Sequence, residues 1–149
     1  MTDLHLPLDA AALAGLLPHR PPFLLIDVVD ELEPGVRAAG RWTPPLDLPG
    51  LSGHFPGDPV VPGVLQLEAL AQLSAVVALS LPRAPEAPPP QVRLAGVSDA
   101  RFRAVVRPGD LLLLQATCAE HRRGLWRFSV AATFADGARV CAATLTAGG

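Results

Sequence analysis

From Gly53 to Ser80 the chain reads GHFPGDPVVPGVLQLEALAQLSAVVALS. The first part, Gly53 to Pro62, is broken by Pro56, Pro59 and Pro62 and by Gly57, and it carries one imidazole, His54. From Gly63 to Ser80 nearly every position is apolar, with no polar stripe, so the pattern predicts a helix buried on all sides that forms the axis of the core. Glu68 and Gln72 interrupt it one turn apart, on one face. A lone imidazole in a constrained loop, followed by a helix with one carboxylate among aliphatic residues, suits acid–base chemistry on an acyl chain.

Outward from this segment the elements alternate with clear breaks. Asp9 caps a short helix through Leu17 that Pro18 ends. Phe23 to Leu32, the turn Pro34-Gly35 and Val36 to Thr43 read as a hairpin. Residues 44–62 are too rich in Pro and Gly for regular structure and form an ordered loop. Pro82 to Pro90 is a stiff crossover. An Arg-rich strand and three further strands follow, with turns at Pro108-Gly109-Asp110, Arg122-Arg123-Gly124 and Asp136-Gly137. Between Leu125 and Phe134 the large apolar residues Trp126, Phe128, Val130 and Phe134 share one face, and Arg127, Ser129 and Thr133 share the other. A hairpin, one central helix and an antiparallel meander give an α+β layout, a sheet wrapped around a helix, as one domain over residues 1–149.

Composition narrows the function. The chain has 149 residues, half of them hydrophobic, and a formal charge of −2 with a pI near 6.0. No basic tract offers a surface for nucleic acid. Lys and Asn are absent and all the cations are Arg, which reads as coding bias. Cys118 and Cys141 lack metal-ligand spacing and read as small core residues in a reducing compartment. Asp3 and Asp9 stand where a signal peptide would be cationic and then apolar, so none is expected. The carboxylate of Glu68 in the longest apolar segment argues against a membrane span. A cytoplasmic protein is expected.

Several spaced motifs then agree in order: Leu17-Pro18-His19-Arg20, Pro22-Phe23-Leu24-Leu25-Ile26-Asp27, Gly53-His54-Phe55-Pro56-Gly57, Pro62-Gly63-Val64, Glu68-Ala69-Leu70-Ala71-Gln72, Ala100-Arg101-Phe102-Arg103 and Pro108-Gly109-Asp110. Over about residues 10 to 145 the chain resembles the hot-dog-fold (3R)-3-hydroxyacyl-acyl carrier protein dehydratases of the FabZ type, within the FabA/FabZ superfamily. The dehydratase-isomerase branch typically has Asp where this chain has Glu68. Three positions depart from the pattern: Pro21 replaces a common aromatic, Arg93 stands where many members carry a gating Tyr, and Ser52 replaces a usual Gln.

The resemblance implies dehydration of a 3-hydroxyacyl thioester to a trans-2-enoyl thioester in fatty acid biosynthesis. The substrate is carried on the phosphopantetheine of acyl carrier protein, and neither metal nor organic cofactor is needed. His54 and Glu68 are the catalytic candidates, His54 as base and Glu68 as a desolvated acid that Gln72 orients. The backbone N–H groups near Gly63 and Val64, at the helix start, point to where the thioester oxygen gains charge, and Phe55 joins the substrate site. Arg93, Arg101, Arg103 and Arg107 either dock the acidic carrier or solvate an edge strand. His19 and Arg20 read as structural, His5 and His121 as solvated, and Asp110 as a turn residue. The family also implies a homodimer, or a trimer of dimers, in which His54 of one subunit faces Glu68 of the other. Two other readings compete: a hot-dog acyl thioesterase, and a non-catalytic acyl-binding subunit.

Overall fold

The computed structural model describes residues 4–149; Asp3, used above, lies outside the described residues. Helix α1 (Ala10–Leu16) starts where Asp9 accepts the Ala12 N–H at 2.9 Å, as the capping pattern predicts. Strands β1 (Val28–Glu33) and β2 (Arg37–Trp42) form the expected hairpin. β1 begins later than the apolar run suggested. Phe23 and Leu25 direct their backbone groups to the Gln72 side chain instead of a neighbouring strand. A 3₁₀ turn at Leu51–Gly53 is the one short helix within the long loop before helix α2 (Gly63–Leu79).

Four longer strands follow: β3 (Arg93–Phe102), β4 (Leu112–Arg122), β5 (Leu125–Phe134) and β6 (Arg139–Gly148). The sheet order is β1-β2-β4-β5-β6-β3, and all neighbours are antiparallel. This is the expected α+β hot-dog arrangement, but the meander covers only β4 to β6. β3 does not pair with β4; it crosses to the far side of β6 and leaves its other edge free.

The sheet curls around the second half of α2. Leu70, Leu73, Val76 and Val77 are fully buried against Trp42, Leu112, Leu114, Phe128 and Leu145. Each such side chain contributes about 1.5–3 kcal/mol by leaving water. Close approach requires Gly40, because a Cβ there would lie 2.6 Å from the Val28 carbonyl oxygen and 3.6 Å from the Leu73 side chain. At the far end of the helix the Gly35 N–H, in the hairpin turn, donates to the Val77 carbonyl at 3.0 Å.

From Ala69 to Leu79 every residue but the half-buried Ala71 is buried. Leu65, Leu67 and Glu68 are half-buried and Val64 is 72% exposed, because this end of α2 projects past the curl of the sheet. Phe55, Phe102 and Val105 are exposed apolar residues as well.

Candidate active site

Each turn of α2 offers its side chains to a different surface, and the turn that carries Glu68 and Gln72 faces the loop after α1. Gln72 is 1% exposed and fully bonded. Its oxygen accepts the Leu25 N–H at 2.9 Å, and its amide donates to the Phe23 carbonyl at 2.7 Å and to Glu68 Oε1 at 3.0 Å. The spacing of four residues thus orients the Glu68 carboxyl, as expected.

His19, expected to be structural, bridges the loop after α1 to helix α2. In the structure its Nε2 lies 3.4 Å from Glu68 Oε1, and among the described residues it is the imidazole within ion-pair reach of that carboxyl. The carboxyl is therefore not simply desolvated by aliphatic neighbours: two polar side chains hold it and its own side chain is 23% exposed. The three groups sit in a cleft of about 260 Å³ whose opposite wall is Val92, Arg93, Leu94, Phe128 and Leu145.

His54 is placed elsewhere and is not part of that wall. Its Nδ1 lies 2.7 Å from the Val60 carbonyl oxygen. A carbonyl can only accept, so Nδ1 carries a proton, and in the neutral imidazole Nε2 then holds the free lone pair. That is the nitrogen a general base needs. The Val60 N–H returns a bond to the His54 carbonyl at 2.7 Å, and the imidazole stacks on Phe55 at 4.2 Å. The loop is anchored from outside by Arg107, which pairs with Asp58 and donates to the Pro59 carbonyl at 3.3 Å. The Arg107 side chain thus holds the His54 loop; Asp110 accepts the Arg107 N–H at 2.8 Å and closes the turn, as expected.

The chain enters α2 through Pro62, whose carbonyl accepts from Leu65 and Gln66, so the Gly63 and Val64 N–H groups precede the first helical bonds. A Cβ on Gly63 would meet the Phe102 ring at 2.7 Å, which sets how closely β3 approaches this end of the helix.

A family model for the FabA-like domain matches residues 17–144. The 3-hydroxyacyl-[acyl-carrier-protein] dehydratase FabZ of Chloroflexus aggregans is 50% identical over 129 residues, covering 87% of this chain and 88% of that protein. The chain belongs to the FabA-like family. The FabZ dehydratase of Ligilactobacillus salivarius, 44% identical, covers 93% of this family member and 96% of its own length. The dehydratase heterocomplex ApeI:P from Xenorhabdus doucetiae superposes with a TM-score of 0.77 at 19% identity, over 97% of this chain and 91% of that one, and so shares its fold.

A second cavity of this FabA-like chain, of about 450 Å³, lies further along α2 and is lined by Ala78, Trp126 and the crossover residues Pro82, Pro88 and Pro90; it shares no lining residue with the Glu68 cleft. Ala78 stands about 15 Å along the helix from Glu68. His121, expected to be solvated, is exposed but stacks on Trp126 at 3.6 Å beside this second cavity. No helix among the described residues is long and apolar enough to cross a membrane.

Proposed function

We propose that the chain, acting as one hot-dog domain, dehydrates (3R)-3-hydroxyacyl-acyl carrier protein to the trans-2-enoyl thioester in fatty acid biosynthesis, within the cytoplasm. The observation that carries this is the pair of prepared groups. One is an imidazole whose Nδ1 is engaged by the Val60 carbonyl, which leaves Nε2 free to accept; the other is a carboxyl bonded by Gln72 in a cleft of about 260 Å³. The FabZ relatives bear the name of this reaction over most of their length.

In the proposed step His54 Nε2 takes the proton from C2 while the thioester oxygen gains charge against the Gly63 and Val64 N–H groups. Glu68 delivers a proton to the C3 hydroxyl, the C3–O bond breaks, and water leaves as the C2–C3 double bond forms. A proton passing from His54 to Glu68 through solvent restores both groups. No redox change occurs, so no cofactor is required. A thioesterase would use the carboxylate to send water to the carbonyl, and no feature of the site favours that reaction over dehydration.

The two groups meet, on this reading, across a dimer. Within the chain His54 lies outside the Glu68 cleft, β3 has a free edge, and Val64, Phe55 and Phe102 are exposed apolar side chains. His54→Ala should lower turnover at least about a hundredfold, and Glu68→Gln should remove most of it without unfolding the protein. Co-expressing these variants gives mixed dimers with one intact site, and random pairing should return about a quarter of wild-type activity. Mixed dimers with only single-mutant activity would place the whole site in one chain.

A further inference from the structure

His19 stands at the centre of an arrangement that the dehydration step above does not use. Its Nε2 faces Glu68 Oε1 at 3.4 Å, while its Nδ1 is sealed from solvent and has no hydrogen-bond partner. A proton on Nδ1 would be a buried donor with no acceptor among the described residues, whereas a proton on Nε2 has a carboxyl oxygen within ion-pair reach at 3.4 Å. The proton therefore belongs on Nε2. This is the opposite tautomer to that of His54, whose Nδ1 is the protonated atom.

The backbone beneath His19 is tied down at several points. The Arg20 guanidinium donates to the Leu17 carbonyl at 2.8 Å and to the His19 carbonyl at 2.6 Å. The Phe23 and Leu24 N–H groups close the following turn on the Arg20 carbonyl, at 2.8 and 3.1 Å. Gln72 then grips Phe23 and Leu25 with the same amide that reaches Glu68. The loop after α1 is thus pinned on both sides of the imidazole, and its one unpaired nitrogen is explained by the direction in which the other one must point.

We propose that His19 is a positioning residue for the reaction: its Nε2–H, together with the Gln72 amide, fixes the Glu68 carboxyl in the orientation in which it meets substrate. The cleft lining adds one further charged group, the exposed Arg93 of β3, and otherwise presents apolar or neutral side chains among the described residues. Gln72 donates to Oε1 at 3.0 Å and His19 Nε2 lies 3.4 Å from the same oxygen, so both groups act on Oε1 and neither occupies the other oxygen. Holding a reacting group in one orientation, with no new bond to substrate, changes turnover more than substrate affinity.

The kinetic test rests on the dehydratase reading, and a spectroscopic test does not. In long-range proton–nitrogen NMR spectra of ¹⁵N-histidine-labelled protein, the signal lost in His19→Gln should show a bare Nδ1 and a protonated Nε2. Its Nε2 shift should move in Glu68→Gln. A protonated Nδ1, or a signal unmoved by Glu68→Gln, overturns the proposal even if the protein proves inactive on every thioester tried. On 3-hydroxyacyl-acyl carrier protein, His19→Ala should lower kcat by about ten- to a hundredfold with KM little changed. The limb of its pH profile that disappears in Glu68→Gln should move to higher pH, since a donor favouring the carboxylate has been removed. His19→Gln, which restores an N–H, should recover most of the loss. Wild-type kcat and pH profile in His19→Ala overturn the proposal, and so does a loss that His19→Gln fails to rescue in protein with a lowered Tm. A wild-type enzyme that does not dehydrate the substrate at all would instead overturn the reaction.

Discussion

At the scale of single residues, Gln72 joins stability to chemistry. One buried amide closes two backbone groups of the loop after α1 and steadies Glu68. Gln72→Leu fills the same space but leaves the Leu25 N–H and the Phe23 carbonyl unpaired, a loss of about 1–3 kcal/mol. We expect urea unfolding to show that loss and kcat to fall with it; an unchanged midpoint would mean that the loop does not need the amide. The pairing of Gln72 with Glu68 was legible because it is a helical neighbour relation. The contact from His19 to the same carboxyl was not, since it joins a loop to a helix 49 positions away and depends on how the chain folds back. The motif Pro18-His19-Arg20 was visible, but nothing local assigns a direction to its imidazole.

Among elements, the two thiols show how the sheet grades its interior. Cys118 on β4 is partly exposed and Cys141 on β6 is buried, and burial pushes the Cys141 thiol up from 9.0 to about 11. The folded protein therefore holds that proton more tightly than the unfolded chain does. Its contribution to stability is complete below pH 9 and is lost as the pH rises toward about 11. At pH 8 Cys118 should react with a thiol reagent in the native protein and Cys141 only after unfolding; equal rates would contradict the burial of β6. The strands themselves were legible from alternation and turn residues, and the central helix from its unbroken apolar run. The first hairpin strand was placed too early, since an apolar run does not reveal that a glutamine 47 positions on takes the place of a partner strand. The place of β3 beyond β6 was hidden for a similar reason: local patterning identifies a strand but not its neighbour.

For the whole molecule, the four arginines assigned to carrier docking separate into roles. Arg107 is committed to Asp58 and Pro59, so Arg107→Ala should loosen the His54 loop and slow carrier-linked and coenzyme A thioesters alike. Arg101 and Arg103 are exposed beside the free β3 edge and have no acidic partner among the described residues. Replacing either should weaken carrier-linked substrates more than coenzyme A thioesters, by a margin that shrinks with added salt. Equal, salt-insensitive losses would assign them to the fold. Arg93 is exposed but lines the same cleft as Glu68, so its replacement is expected to affect both kinds of thioester alike. The second cavity, lined by the prolines of the crossover, lies on the same helix as the Glu68 cleft but apart from it. A hollow bounded by a surface loop can be reshaped without disturbing the scaffold beneath it. Substitutions or insertions between Pro82 and Pro90 should therefore alter that hollow while the core, the His54 loop and Glu68 stay as they are, so descendants of this chain could diverge there through a part of the sequence that folding constrains little.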